Sequence, residues 1–238
     1  MTGTTPRGTL FGIGLGPGAP DLMTLRAARL VARAPVVAYP APEEGESFAR
    51  SIASETISPT AEEIAIRIPM RADRFPAQEI YDAAAHTLAE RLADGQDVAV
   101  LCEGDPFFYG SFMYLFARLA DRERVEIVPG VTSLTACAAA AARPLCARNE
   151  ALTAIPAPLD DREIASRLAM GGAAAILKVG RHLGRVRRLL ASLGQDDRAV
   201  FVAHASLAQQ AVLPLADAPD PAPYFSMILV PGEDPYAG

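Results

Sequence analysis

Of the 22 basic residues in this chain of 238, only Lys178 is a lysine, and neither basic nor acidic residues gather into a block. Against 28 acidic residues they leave a formal charge of -6, which excludes the broad basic footprint of a general nucleic-acid binder. The arginine bias accompanies alanine richness and carries no functional reading. Cysteine is scarce too. Cys102, Cys137 and Cys146 form no CxxC pair, and an odd number does not suit a disulfide framework, so a reducing cytoplasm is expected. No stretch approaches the roughly eighteen unbroken apolar residues of a membrane helix. The apolar run at 9–15 is too short and too glycine-interrupted for a signal core. No membrane association is expected. His86, His182 and His204 stand apart from cysteine and from carboxylates at ligand spacing, so none reads as a metal ligand.

What is present is an apolar half, enough for one large core or two smaller ones, and at this length two domains are expected. The pattern alternates strand and helix throughout. A buried strand at 10–15 precedes a helix over 23–34 capped by Asp21. Pro35 ends that helix, and a strand at 36–39, a helix at 47–55, a strand at 63–68 and a helix at 77–93 follow. The all-apolar run 98–102 has the character of a strand inside a parallel sheet and leads to a helix around 111–119. After the charged stretch 121–126 the pattern restarts, so the boundary is placed near Arg122, giving domains 1–121 and 122–238. In the second domain strands are expected at 125–128, 151–155, 173–179, 199–203 and 225–230. Its helices are expected at 132–142, 162–170, 183–193 and 206–209. The predicted class is α/β, as two consecutive α/β/α domains with a ligand cleft between them.

The segment GTLFGIGLGPGAPDLMTLRA invites comparison with a dinucleotide fingerprint, and the comparison fails. Glycines recur at every second position from Gly12 to Gly18, not as G-x-G-x-x-G. Pro17 and Pro20 remove amide donors where a phosphate loop needs them, and the strand at 36–39 leads into Pro40 with no acidic residue for a ribose. The remaining readings are a tight strand-to-helix turn, or a glycine surface that admits a flat ligand close to the backbone.

EGDPFFYG, residues 103–110, follows the apolar strand directly and so lies outside the carboxyl end of a parallel strand, where open α/β sheets bind ligands. It also reads as a connector in which Asp105 caps a helix. VPGVTS, 128–133, repeats the situation, with Thr132 or Ser133 at a helix start.

In order along nearly the whole chain, GIGLGPGAPDLMTLRA, LCEGDPFFYGS, VPGVTSLTA, ILKVGR and VAHASLAQQ resemble the tetrapyrrole (corrin/porphyrin) methyltransferases. Within that family GDPFFYGSFMYL and PYFSMILVPG are similar to the branch acting at carbon 20 of a corrin precursor. The resemblance implies S-adenosylmethionine as methyl donor, a tetrapyrrole substrate, no metal and a homodimer. It carries cofactor contacts onto Pro17, Glu103, Gly104, Asp105, Phe108, Thr132 and Ser133, with Val179 and Ala205 in the second domain. The glycine turn, Gly14 and Gly16 above all, would face the macrocycle. Arginines would hold its carboxylates, with Arg26, Arg71 and Arg148 preferred and Arg29, Arg74, Arg143 and Arg181 as further candidates. Glu103, Asp105, Tyr109, His204 or water are open as acceptors of the proton displaced from carbon 20. Other members of the family, and a non-catalytic tetrapyrrole carrier of the same fold, are the competing readings.

Overall fold

Strand β1 (Thr9–Gly14) is buried along its whole length, as the interior position of a parallel sheet demands. It opens a run of β1, α1 (Leu25–Arg33), β2 (Val36–Pro42), α2 (Phe48–Ala53), β3 (Glu62–Ile68), α3 (Pro76–Ala93), β4 (Val98–Cys102), α4 (Phe112–Leu119) and β5 (Arg124–Val128). In this computed structural model, which describes residues 6–69 and 76–232, the five strands form one parallel sheet in the order β3-β2-β4-β1-β5. Alternation along β4 explains how both faces are filled. Val98, Val100 and Cys102 pack with Leu88, Leu92 and Phe112 of α3 and α4, whereas Ala99 and Leu101 pack with Val31 and Ile52 of α1 and α2.

The register levels three strand ends. Ile13 of β1 lies opposite Leu101 of β4 and Val128 of β5, so the segments after these strands leave the sheet side by side. The helix over 23–34 starts later than expected. Pro20–Leu22 forms a short 3-10 turn, and Thr24, not Asp21, caps α1, its Oγ1 accepting from the Ala27 amide at 3.1 Å.

The chain divides into two units, Met1–Thr132 and Ser133–Gly238. Residues 125–128, expected to open the second domain, instead form β5 and hydrogen-bond to β1 in the first sheet, so the division falls beyond the expected boundary at Arg122. The second unit runs α5 (Ser133–Ala140), β6 (Leu152–Pro156), α6 (Asp161–Leu168), β7 (Ala173–Leu177), α7 (Leu183–Ser192), β8 (Val200–Ala203), β9 (Ala211–Pro214) and β10 (Ser226–Val230). Its sheet is mixed, in the order β6-β7-β10-β8-β9. β6 is parallel to β7, while β10 is antiparallel to both its neighbours. The helix expected at 206–209 is a series of turns, and β9, not expected at all, is a short edge strand beside β8. Ile164, Leu183, Val186 and Leu190 cover the core strands together with Phe201 and Ile228.

Phe201 is fully buried in this second core, whereas Leu25 is 74% exposed on α1. Phe201→Ala is expected to lower the unfolding free energy in urea by about 3–5 kcal/mol. Leu25→Ala should change it by no more than about 0.5 kcal/mol.

Candidate functional site

In the first unit three turns at the level strand ends are fastened to one another. The Leu15 amide donates to the Cys102 carbonyl at 2.9 Å. Gly16 and Gly104 then exchange both backbone bonds, at 3.2 and 2.7 Å, joining the turn after β1 to the turn after β4. Asp105 completes the set. Its Oδ1 accepts from the Phe107 amide at 2.9 Å, shaping its own turn, and its Oδ2 accepts from the Gly130 amide at 3.0 Å, reaching the turn after β5. Each carboxylate oxygen thus serves one backbone amide, which ties the turn after β4 to the turn after β5.

Glycine is required here by the neighbours. A Cβ on Gly14 would come within 2.5 Å of the Gly130 amide nitrogen and 2.8 Å of the Gly104 carbonyl oxygen, and one on Gly12 within 2.5 Å of the Phe112 ring. One on Gly16 would meet the Leu22 carbonyl oxygen at 2.9 Å. The open surface expected along 12–18 is therefore filled at these three positions by the protein itself, and all three glycines are buried.

Pro17, Glu103, Gly104, Phe108 and Thr132 are all half-buried on these turns. Phe108 meets the Tyr109 ring edge-on at 5.1 Å, and Tyr109, 46% exposed, holds a left-handed backbone with φ +58 that a bulky side chain adopts rarely. Burial pushes the Glu103 carboxyl above the ordinary carboxylate range, partly offset by bonds from its own backbone and that of Ala49. No ion pair is recorded for it among the described residues. The neighbouring Cys102 thiol is pushed up to about 11 and Cys137 to about 12, both by burial, so neither is a nucleophile near neutrality.

In the second unit, β7 and β8 both run against β10 and are therefore parallel to one another. Val179 and Ala205, both buried, consequently follow strands at the same edge of the sheet, with Tyr224 and Phe225 leading into β10 between them. Lys178 (φ +58), His204 (φ +50) and Ser206 (φ +72) are left-handed without being glycine, which concentrates backbone strain at this edge. Ser133 is the exposed first residue of α5.

The arginines divide into engaged and exposed groups. Arg26 pairs with Glu126 at 2.7 Å. Arg185 is tied to Asp161 and to the Ala157 and Leu159 carbonyls, and Arg187 to the Ala218 carbonyl. Arg29, Arg143, Arg148 and Arg181 are exposed, and Arg71 and Arg74 lie outside the described residues. Among the described residues no three His, Cys, Asp or Glu side chains gather as a metal site. No helix among them is long and apolar enough to cross a membrane.

The sequence pattern that builds these turns matches a family model described as tetrapyrrole (corrin/porphyrin) methylases over residues 9–219. The chain belongs to this family. It is 39% identical to a precorrin-2 C(20)-methyltransferase from Sinorhizobium sp, covering 94% of this chain and 96% of that one. It is 33% identical to a cobalt-precorrin-2 C(20)-methyltransferase from Salmonella typhimurium, over 97% and 99%. Among solved structures it is similar to uroporphyrin-III C-methyl transferase from Thermus thermophilus complexed with S-adenyl homocysteine. That likeness has a TM-score of 0.66 and 26% identity, and covers 95% of this chain and 92% of the other. The two-unit α/β architecture is thus that of the family, whose members are S-adenosylmethionine-dependent methyltransferases.

The residues fit that cofactor. A partly desolvated carboxyl at Glu103, with backbone donors around it, suits a neighbouring cation such as a sulfonium or ammonium, and prolines in the first turn suit a ligand without phosphate. From the sequence Asp105 reads as a helix cap, a cofactor contact or one of several proton acceptors. Its bond to Gly130 has no signal in the sequence, because the partner lies on another strand's turn.

Removing the Asp105 carboxylate leaves two amides without their acceptor. Asp105→Ala is expected to cost about 1–3 kcal/mol in denaturant unfolding and to speed amide exchange at Gly130, read by NMR. For Glu103 the protonated form is the one the fold favours. Stability of the parent should therefore fall as pH rises from the ordinary value of 4.5 through the raised one, and level off above it. Glu103→Gln should lack this fall. Melting curves should nearly coincide at about pH 4 and favour the variant at pH 8.

Proposed function

We propose that this chain transfers a methyl group from S-adenosylmethionine to carbon 20 of precorrin-2, giving precorrin-3A and S-adenosylhomocysteine in cobalamin biosynthesis. The observation that carries the proposal is the near full-length likeness to a precorrin-2 C(20)-methyltransferase. The comparable likeness to a cobalt-precorrin-2 C(20)-methyltransferase makes the cobalt-loaded macrocycle the second reading.

When bound, the cofactor supplies an electrophilic sulfonium methyl, and the meso carbon of a reduced tetrapyrrole supplies enamine-like electron density. The work of the protein is then positioning, with reacting atoms held in line at near contact. Pro17, Glu103, Gly104, Phe108 and Thr132, with Ser133, Val179 and Ala205, hold the cofactor, and Glu103 opposes its positive charge. Asp105 fixes the second and third turns through the Phe107 and Gly130 amides and keeps acceptor capacity for a contact with the cofactor. Gly14 and Gly16 contribute by letting the turns close, which sets the shape of the edge the macrocycle meets.

Exposed arginines, Arg148 among them, face the rim of macrocycle carboxylates, and Arg71 joins them in this reading. Arg26 serves only by exchanging Glu126 for a substrate carboxylate. Each exposed pair is worth no more than about 1 kcal/mol, so macrocycle affinity comes from several and falls with salt. The protein works as a cytoplasmic homodimer without a resident metal.

The test supplies methyl-labelled S-adenosylmethionine, carbon-13 at the methyl, with metal-free or cobalt-loaded substrate, and locates the label by NMR. Label at carbon 20 of precorrin-2 is expected. Label on a pyrrole-ring carbon, or no transfer to either form, overturns the carbon-20 reading. Light scattering at micromolar concentration should give the mass of two chains.

A further inference from the structure

The turn after β8 holds an imidazole with one ring nitrogen that no described residue engages. His204 has a left-handed backbone with φ +50, and two residues on Ser206 has another with φ +72, bracketing the buried Ala205. The turn is nevertheless held firmly. The His204 amide donates to the Phe225 carbonyl at 2.8 Å, its ring stands edge-on to Phe225 at 6.3 Å between centroids, and the Ser206 amide donates to Gln210 Oε1 at 2.8 Å. Inside this braced turn the Nδ1 atom of His204 is buried and has no hydrogen-bond partner among the described residues. A buried nitrogen without a partner opposes folding, and strained non-glycine backbone does so again. Both are retained where the surrounding structure over-determines them, which is characteristic of ligand-binding turns.

We propose that His204 is a cofactor-contacting residue, its Nδ1 forming a hydrogen bond with bound S-adenosylmethionine or S-adenosylhomocysteine. The inference rests on the methyltransferase reading above and adds a side chain to it. Neutral imidazole provides either a donor or an acceptor at Nδ1, which matches the ribose hydroxyls and the amino and carboxylate groups of this cofactor. The role is positional, since no bond to His204 forms or breaks.

The two ring nitrogens can be told apart by substitution. Asparagine places an amide atom where Nδ1 stands and tolerates left-handed backbone, while glutamine places one where Nε2 stands. Calorimetric titration with S-adenosylhomocysteine is expected to show His204→Ala and His204→Gln binding roughly tenfold more weakly, and His204→Asn within about threefold of the parent. Circular dichroism melting of the same proteins controls for folding. A second titration with sirohydrochlorin, the oxidised and stable form of the dimethylated macrocycle, should leave all four proteins alike. Equal S-adenosylhomocysteine affinity in all variants, rescue by glutamine instead of asparagine, or a loss confined to sirohydrochlorin overturns the inference. A parent protein that binds no S-adenosylhomocysteine overturns the methyltransferase reading instead.

Discussion

The first unit's functional edge depends on one carboxylate. Asp105 accepts one amide from its own turn and one from the turn after β5, at 2.9 and 3.0 Å, and so fastens those two neighbouring loops together. It can do so only because the sheet register brings Ile13, Leu101 and Val128 level, and because Gly14 and Gly130 carry no side chain where the turns meet. A charge-assisted bond to an amide is about twice as strong as a neutral one, and here two such bonds replace the longer-range packing that loops lack. Gly16 and Gly104 add a two-bond bridge to the same end.

The second unit reaches a comparable edge by another route. Its sheet is mixed, and the antiparallel β10 separates two strands that run the same way, so residues after β7 and β8 still emerge together. Where the first unit uses glycine to close its turns, this one holds Lys178, His204 and Ser206 left-handed. Such conformations persist when bracing is strong, as the bonds to Phe225 and Gln210 illustrate.

Electrostatics follow a division of labour. Many arginines are engaged within the units, as in Arg50 with Glu63, Arg91 with Glu62 and Arg118 with Asp82. Arg7 meets Glu123, whose side chain is nearly inaccessible, so removal of that arginine would strand a buried charge. The Glu103 carboxyl, in contrast, sits buried among backbone donors with its titration displaced upward. Such local separation of charge would suit the cationic cofactor and anionic substrate of the proposed reaction.

Much of the fold was legible from local pattern alone. The all-apolar run at 98–102 could bury both faces only inside a parallel sheet, and it is β4 over those residues. The helix expected at 47–55 is α2, with Ser47 as its cap, and the ordered motifs carried the family. The assignment of β5 to the first sheet was not legible, because a strand's partner is fixed by hydrogen bonds to residues more than a hundred positions away, here Thr9 to Ile13. The edge strand β9 escaped for a related reason. Half-exposed and four residues long, it alternates too briefly to register, and β8 supplies its pairing. The same limit applies to Asp105 and His204. By sequence Asp105 stands in a recognisable turn, and His204 is an isolated histidine that, like Asp105, is one of several open proton acceptors. That the first binds an amide of another turn, and that the second keeps a buried nitrogen without a partner among the described residues, are properties of neighbours that only the folded chain brings near.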